Sequence, residues 1–229
     1  MKKILRYFSP FEYSLWGISV VLIVTSFLIF DRTGYLSLIS SLVGVTSLIF
    51  CAKGNPAGHV LMVTFSIFYS IISYYQAYYS EMITYLGMSG PMALLALFSW
   101  LKNPFKGNKA EVKINSATRR DVAWMLGLTA VVTVVFFFIL RALDTANLTV
   151  STLSITTSFA AVFMCFRRVS WYPLLYAAND VVLIALWVLA ALSEPTYVSV
   201  VVCFIVFLFN DVYCAVSWKR IQRRQQATE

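Results

Sequence analysis

Eight stretches of apolar residues, each long enough to cross a lipid bilayer, divide this chain at about 13–30, 35–52, 57–79, 82–101, 122–143, 148–166, 171–191 and 197–218. In hydrocarbon every backbone polar group must find its partner inside the protein. Eight such runs, without the alternating pattern of a membrane barrel, therefore predict eight helices. With 60% of its residues hydrophobic and 12% charged, the chain carries more apolar surface than a soluble fold of 229 residues can bury.

The gaps between the runs carry a second signal. Sixteen of the eighteen Lys and Arg residues fall in alternate gaps, from Lys2, Lys3 and Arg6 through Lys53, the 102–120 stretch and Arg167-Arg168 to Lys219–Arg224. The other side has Arg32 and Arg141, together with Asp31, Glu81, Asp144 and Glu194. This is the positive-inside bias, and it predicts an inner-membrane protein with both termini in the cytoplasm. The net charge of +8 is then explained by anionic headgroups at helix ends, and no nucleic-acid partner is expected. Lys2, Lys3 and Arg6 precede an apolar run but no small-residue cleavage site, so a cleavable signal peptide is not expected.

The polar stretch 102–121 separates two halves that resemble one another. Offset by 114 positions, Ser37 meets Ser151, Ser40 meets Ser154, Cys51 meets Cys165 and Lys53 meets Arg167. After a slip of four residues, Ser99-Trp100 meets Ser217-Trp218. The expected organisation has residues 1–34 as N-terminus and leading helix, and 35–101 as a first three-helix unit. Residues 102–149 form a loop and linker helix, 150–218 the second unit and 219–229 a basic tail. The linker span reverses the chain, so the two units run parallel, an arrangement that transporters use to hold substrate between repeats.

Most polar residues inside the runs are Ser and Thr, which bond back to their own helix. The exceptions are Asn179-Asp180 and Asn210-Asp211, whose acids are the only carboxylates well inside apolar segments. A charged Asp at a helix centre costs about 2.5–3.5 kcal/mol on insertion scales, so both must face the bundle interior. There they either glue spans seven and eight together or contact a ligand. Tyr172, Tyr176, Asn179 or Asp180, Leu183 and Trp187 share one helical face, as do Phe65, Tyr69, Ile72 and Gln76, and as do Asp211, Cys214 and Trp218. Rings that stack and amides or carboxylates that bond hydroxyls suit a ligand combining a flat ring with a sugar. The candidate contacts are Tyr69, Gln76, Tyr176, Asn179, Asp180, Trp187, Asn210 and Asp211. Trp100 and Trp218, beside basic residues, are expected as interfacial anchors. His59 is expected as a packed histidine. The four cysteines form no CxxC, and no metal or other cofactor is expected.

The runs SLISSLVGVTSLIFCAKGN (37–55) and ISYYQAYYSEM (72–82), with the two Asn-Asp segments, resemble the Pnu-type vitamin transporters of bacteria. That resemblance implies an all-α membrane fold similar to the SWEET sugar transporters, with two parallel three-helix bundles joined by a linker helix, and a homotrimer. It also implies uptake of nicotinamide riboside by facilitated diffusion, with a cytoplasmic riboside kinase trapping the product. Asp180 or Asp211 would then offset the charge of the pyridinium ring, aided by cation–π contacts. Members often have two tryptophans three residues apart at the start of span seven; here Trp171 is followed by Leu174. Thiamine or another nucleoside-like vitamin, and proton-coupled uptake, stay open as alternatives. An enzyme is not expected, since the chain has no HExxH, no phosphate-binding Gly-rich loop and no DxxD cluster.

Overall fold

The computed structural model describes residues 7–75, 79–145 and 147–228. Helix α1 spans Pro10–Phe30, α2 Tyr35–Ala52 and α3 Ala57–Tyr75; α4 (Tyr79–Thr84) continues through a π-helical turn, Tyr85–Ser89, into α5 (Gly90–Lys102). A short hairpin follows, β1 Pro104–Phe105 and β2 Asn108–Val112, and then α6 Arg119–Ala142, α7 Leu148–Phe166, α8 Tyr172–Ala191 and α9 Val198–Gln226. Eight of the described helical segments are long and apolar enough to cross a membrane, with α4, the π turn and α5 acting as one, Glu81–Lys102. The protein is a multi-pass membrane protein with the eight spans expected. Many large apolar side chains point outward, Ile18, Val131, Phe138 and Phe209 among them, while polar side chains such as Asp180 and Asn210 are buried. That inversion is what a hydrocarbon solvent demands.

Local chemistry sets the helix starts, and it does so twice in the same way. Ser9 caps α1 and Glu12 reaches back to the Ser9 N–H; Thr118 caps α6 and Asp121 reaches back to the Thr118 N–H. Each capping acid also holds the basic residue that ends the next helix: Glu12 pairs with Lys53 at 3.1 Å, and Asp121 with Arg167. The helix ends correspond as well. After Lys53 the chain turns through Gly54 at φ +67°, and after Arg167 through Arg168 at φ +60°. The resemblance between halves thus extends to the leading helices α1 and α6.

The stretch between α5 and α6 is an ordered strap. Lys106 and Gly107 both adopt positive φ, which turns the hairpin tightly. Further along, the Val112 N–H donates to the Gly54 carbonyl and the Asn115 N–H to the Arg168 carbonyl, both at 2.9 Å. Helix α9 runs past residue 218 to Gln226, so the segment read as a tail is largely helical. The Gln225 amide closes this end by donating to the Val112 carbonyl and accepting from the Ile114 N–H.

Packing follows the same correspondence. Helix α2 touches α3 and α7 touches α8; α3 touches α5 and α8 touches α9; across the halves, α2 touches α9 and α5 touches α7. The crossings are pinned at the basic end by matched bonds. The Trp100 indole donates to the Cys165 carbonyl (3.1 Å) and the Trp218 indole to the Cys51 carbonyl (2.8 Å). Ser99 and Ser217 donate likewise to the carbonyls of Phe166 and Ala52. Both tryptophans are fully buried, with ring centroids 5.1 Å apart. This corrects their expected place at the lipid interface: an indole N–H that is needed inside the bundle cannot also anchor in headgroups.

Candidate functional site

A cavity of about 100 Å3 lies among α3, α5, α7, α8 and α9, above the tryptophan pair. Positions that correspond between the halves face one another across it: Met62 and Tyr176, Phe65 and Asn179, Ser66 and Asp180, Ala93 and Asp211. The wall is therefore built on equivalent backbone positions but with unequal chemistry. In these four pairs the first half contributes thioether, phenyl, hydroxyl and methyl groups, and the second a phenol, an amide and two carboxyls.

Span geometry positions each polar group. Tyr176, Asn179, Asp180 and Leu183 lie on one face of α8, as their spacing predicts. Asn179 is held by α7, where Thr157 donates to its Oδ1 at 2.8 Å, which leaves its amide hydrogens for other partners. Asp180 and Asp211 are each 3% exposed and both line the cavity. Asp180 Oδ2 has no hydrogen-bond partner among the described residues, an acceptor left open at the cavity wall. On the facing helix α7, Ser151, Ser154 and Ser158 form a hydroxyl-bearing stripe along the wall.

Below the cavity, at the basic end, Trp100, Tyr172, Cys214 and Trp218 pack into a closed aromatic plug. His59 joins plug to cavity: its ring meets Trp100 edge-on at 4.3 Å, its Nε2 lies 3.5 Å from Cys165 Sγ, and the residue lines the cavity floor. At the opposite end lies a wider space of about 520 Å3, whose wall includes Asp31, Tyr69, Trp187, Glu194 and Tyr197. Glu81 lines both spaces and stands between them. The cavity is thus closed by packed rings towards the basic end and adjoins the wider space at the other.

Four of the eight expected contacts, Tyr176, Asn179, Asp180 and Asp211, meet in the cavity, while Tyr69 and Trp187 belong to the outer space. Asn210 is turned away from both, because its amide donates to Ser19 of α1 (3.0 Å) and to its own helix at the Val206 carbonyl. Placed there, it ties α9 to α1 and lines neither space. Gln76 lies outside the described residues. The Trp171 and Leu174 positions line neither space, so the departure at Leu174 does not alter the wall. Residues not singled out from sequence include Glu81, Tyr85, Phe207 and the serine stripe. The serines recur at i, i+3 and i+7, a signal present in the sequence but masked by the frequency of Ser in these spans.

Comparison with known proteins places this architecture. The model of the nicotinamide mononucleotide transporter family matches residues 34–220, most of the chain. The chain belongs to that family. A nicotinamide riboside transporter, PnuC, from Neisseria mucosa is 22% identical over 215 residues, covering 92% of this chain and 82% of that protein. The crystal structure of the vitamin B3 transporter PnuC superposes with a TM-score of 0.81 at 22% identity, covering 95% of this chain and 94% of that one. The eight-helix fold is shared, and the relatives are named as transporters, in keeping with a non-enzymatic role.

Proposed function

We propose that this protein takes up nicotinamide riboside by facilitated diffusion, entering from the acid-bearing side and leaving at the basic, cytoplasmic end. The observation that carries the reading is the charge of the path. Asp31, Glu194, Glu81, Asp180 and Asp211 line the two spaces, and no Lys or Arg among the described residues does. A phosphate group would have to leave water without a cationic partner, facing carboxyls, at a cost of several kcal/mol. The intact mononucleotide is therefore disfavoured relative to the riboside, whose only charge is the pyridinium cation.

The wall suits the rest of that molecule. Asn179 and the open oxygen of Asp180 can bond ribose hydroxyls or the carboxamide, while Tyr176, Tyr85 and Phe207 offer ring faces to a flat cation. Release at the basic end requires the plug to part, which breaks the two indole–carbonyl bonds. The matched bonds of the two halves support a pair of like-oriented three-helix units, 35–101 and 150–218, rocking about the cavity. Net import without ion coupling needs a sink, which cytoplasmic phosphorylation of the riboside supplies. The working assembly on this reading is the homotrimer of the Pnu type, in the bacterial cytoplasmic membrane.

Ligand-induced thermal shifts of the purified protein test the substrate. Nicotinamide riboside should raise the unfolding midpoint, and neither the mononucleotide nor an uncharged nucleoside should match it. A larger shift with thiamine would transfer the reading to that vitamin. Accumulation that needs an imposed pH gradient would favour proton coupling through Asp180 and Asp211.

A further inference from the structure

Neither cavity acid is the first carboxylate that a solute meets. Glu81, at the start of the fourth span, lines the outer space together with Asp31 and Glu194, and lines the inner cavity together with Asp180. Tyr85, one helical turn further on, lines the inner cavity together with Glu81 and Asp180. Tyr85 in turn meets Tyr69 at 4.5 Å, which makes the passage beside Glu81 narrow and aromatic. The other two outer acids are placed differently. Asp31 accepts from the Gly34 N–H and so serves the turn between α1 and α2, while Glu194 stands in the loop after α8. Only Glu81 touches both compartments.

We infer that Glu81 is a specificity-determining residue, a carboxylate at the neck between the two spaces that admits the permeating nucleoside because its ring is a cation. The inference rests on the transport reading above and adds the property by which the neck selects. A narrow passage with one sign of charge and low-dielectric walls concentrates counter-ions and speeds their entry by a factor of ten or more. The flanking rings of Tyr69 and Tyr85 add favourable faces to the same cation, and a neutral nucleoside gains little from either. Asp180 and Asp211 then receive a solute already selected for charge.

The test compares the cationic riboside with dihydronicotinamide riboside, a neutral molecule that keeps the ribose and the carboxamide. Initial uptake of each is measured in liposomes without an imposed ion gradient, containing the unaltered protein, Glu81→Gln or Glu81→Asp. The expected result is a KM for the cation raised about tenfold in Glu81→Gln, with the neutral analogue unchanged and the cation preference largely restored in Glu81→Asp. High salt should weaken the preference of the unaltered protein. Equal losses for both solutes in Glu81→Gln would make Glu81 a structural helix-start acid and overturn the inference, as would no change for either. Failure of the unaltered protein to carry the riboside at all would be a different result: it would overturn the transport reading and this inference with it.

Discussion

At the scale of single residues, the two Asn-Asp dipeptides divide into two roles. Adjacent residues on a helix point about 100° apart, so one dipeptide can serve a cavity and a neighbouring helix at once. On α8 both Asn179 and Asp180 reach the cavity; on α9 only Asp211 does, and Asn210 bonds to Ser19 of α1. Replacing Asp180 by Asn should weaken riboside binding at least tenfold, a single lost hydrogen bond to a charged or polar group, while the unfolding midpoint of the free protein changes little; Asn179→Ala should weaken binding similarly but also lower the midpoint, because the bond from Thr157 is lost with it. Asn210→Ala should do the reverse: it should cost about 0.6–2 kcal/mol of stability, as interhelical bonds in membranes do, and leave the ligand-induced shift intact. Thermal unfolding with and without ligand checks both. The burial of these residues was legible in the sequence, because a carboxylate in hydrocarbon has nowhere else to go. Which Asn faces ligand was not, because that depends on where α1 packs. Glu81 was equally hidden: at the end of an apolar run it read as one more acid on the outer side.

Among elements, the matched helix ends make two predictions. Arg168 occupies the same left-handed turn that Gly54 occupies in the other half, and a side chain there is strained by about 1 kcal/mol. Its Nε and Nη1 are also buried without hydrogen-bond partners among the described residues. Burial, reinforced by the charge of Arg167, holds its pKa below the usual arginine range. Arg168→Gly should therefore raise the unfolding midpoint, measured in detergent. The second prediction concerns the plug. Trp218→Phe keeps the ring but removes the bond to the Cys51 carbonyl, worth roughly 1 kcal/mol, and should increase the labelling rate of Cys51 by a thiol reagent from the basic side about fivefold. Trp100→Phe should do the same for Cys165. Unaltered labelling in both variants would remove the plug from the gating account. The alignment of Cys51 with Cys165 and of Ser99-Trp100 with Ser217-Trp218 was readable from spacing alone. Its meaning was not, since each tryptophan bonds the cysteine-bearing helix of the other half, a contact across more than sixty residues. The capping acids Glu12 and Asp121 were missed because the leading and linker spans share almost no identical residues in register.

For the whole molecule, the eight spans and the basic asymmetry follow from composition and order, and the structure adds which end is closed. On the proposed function, a plug at the basic end and acids lining the space at the other describe a carrier facing an external cation. The absence of Lys and Arg from the described walls of both spaces makes the molecule a poor host for a phosphate, whatever its pyridine ring. The most direct measurement is uptake of labelled nicotinamide riboside and labelled nicotinamide mononucleotide into liposomes containing only this protein, with no ion gradient imposed. The riboside should equilibrate across the membrane, and the mononucleotide should stay at the level of protein-free liposomes. Entry of the mononucleotide at a comparable rate would contradict the account.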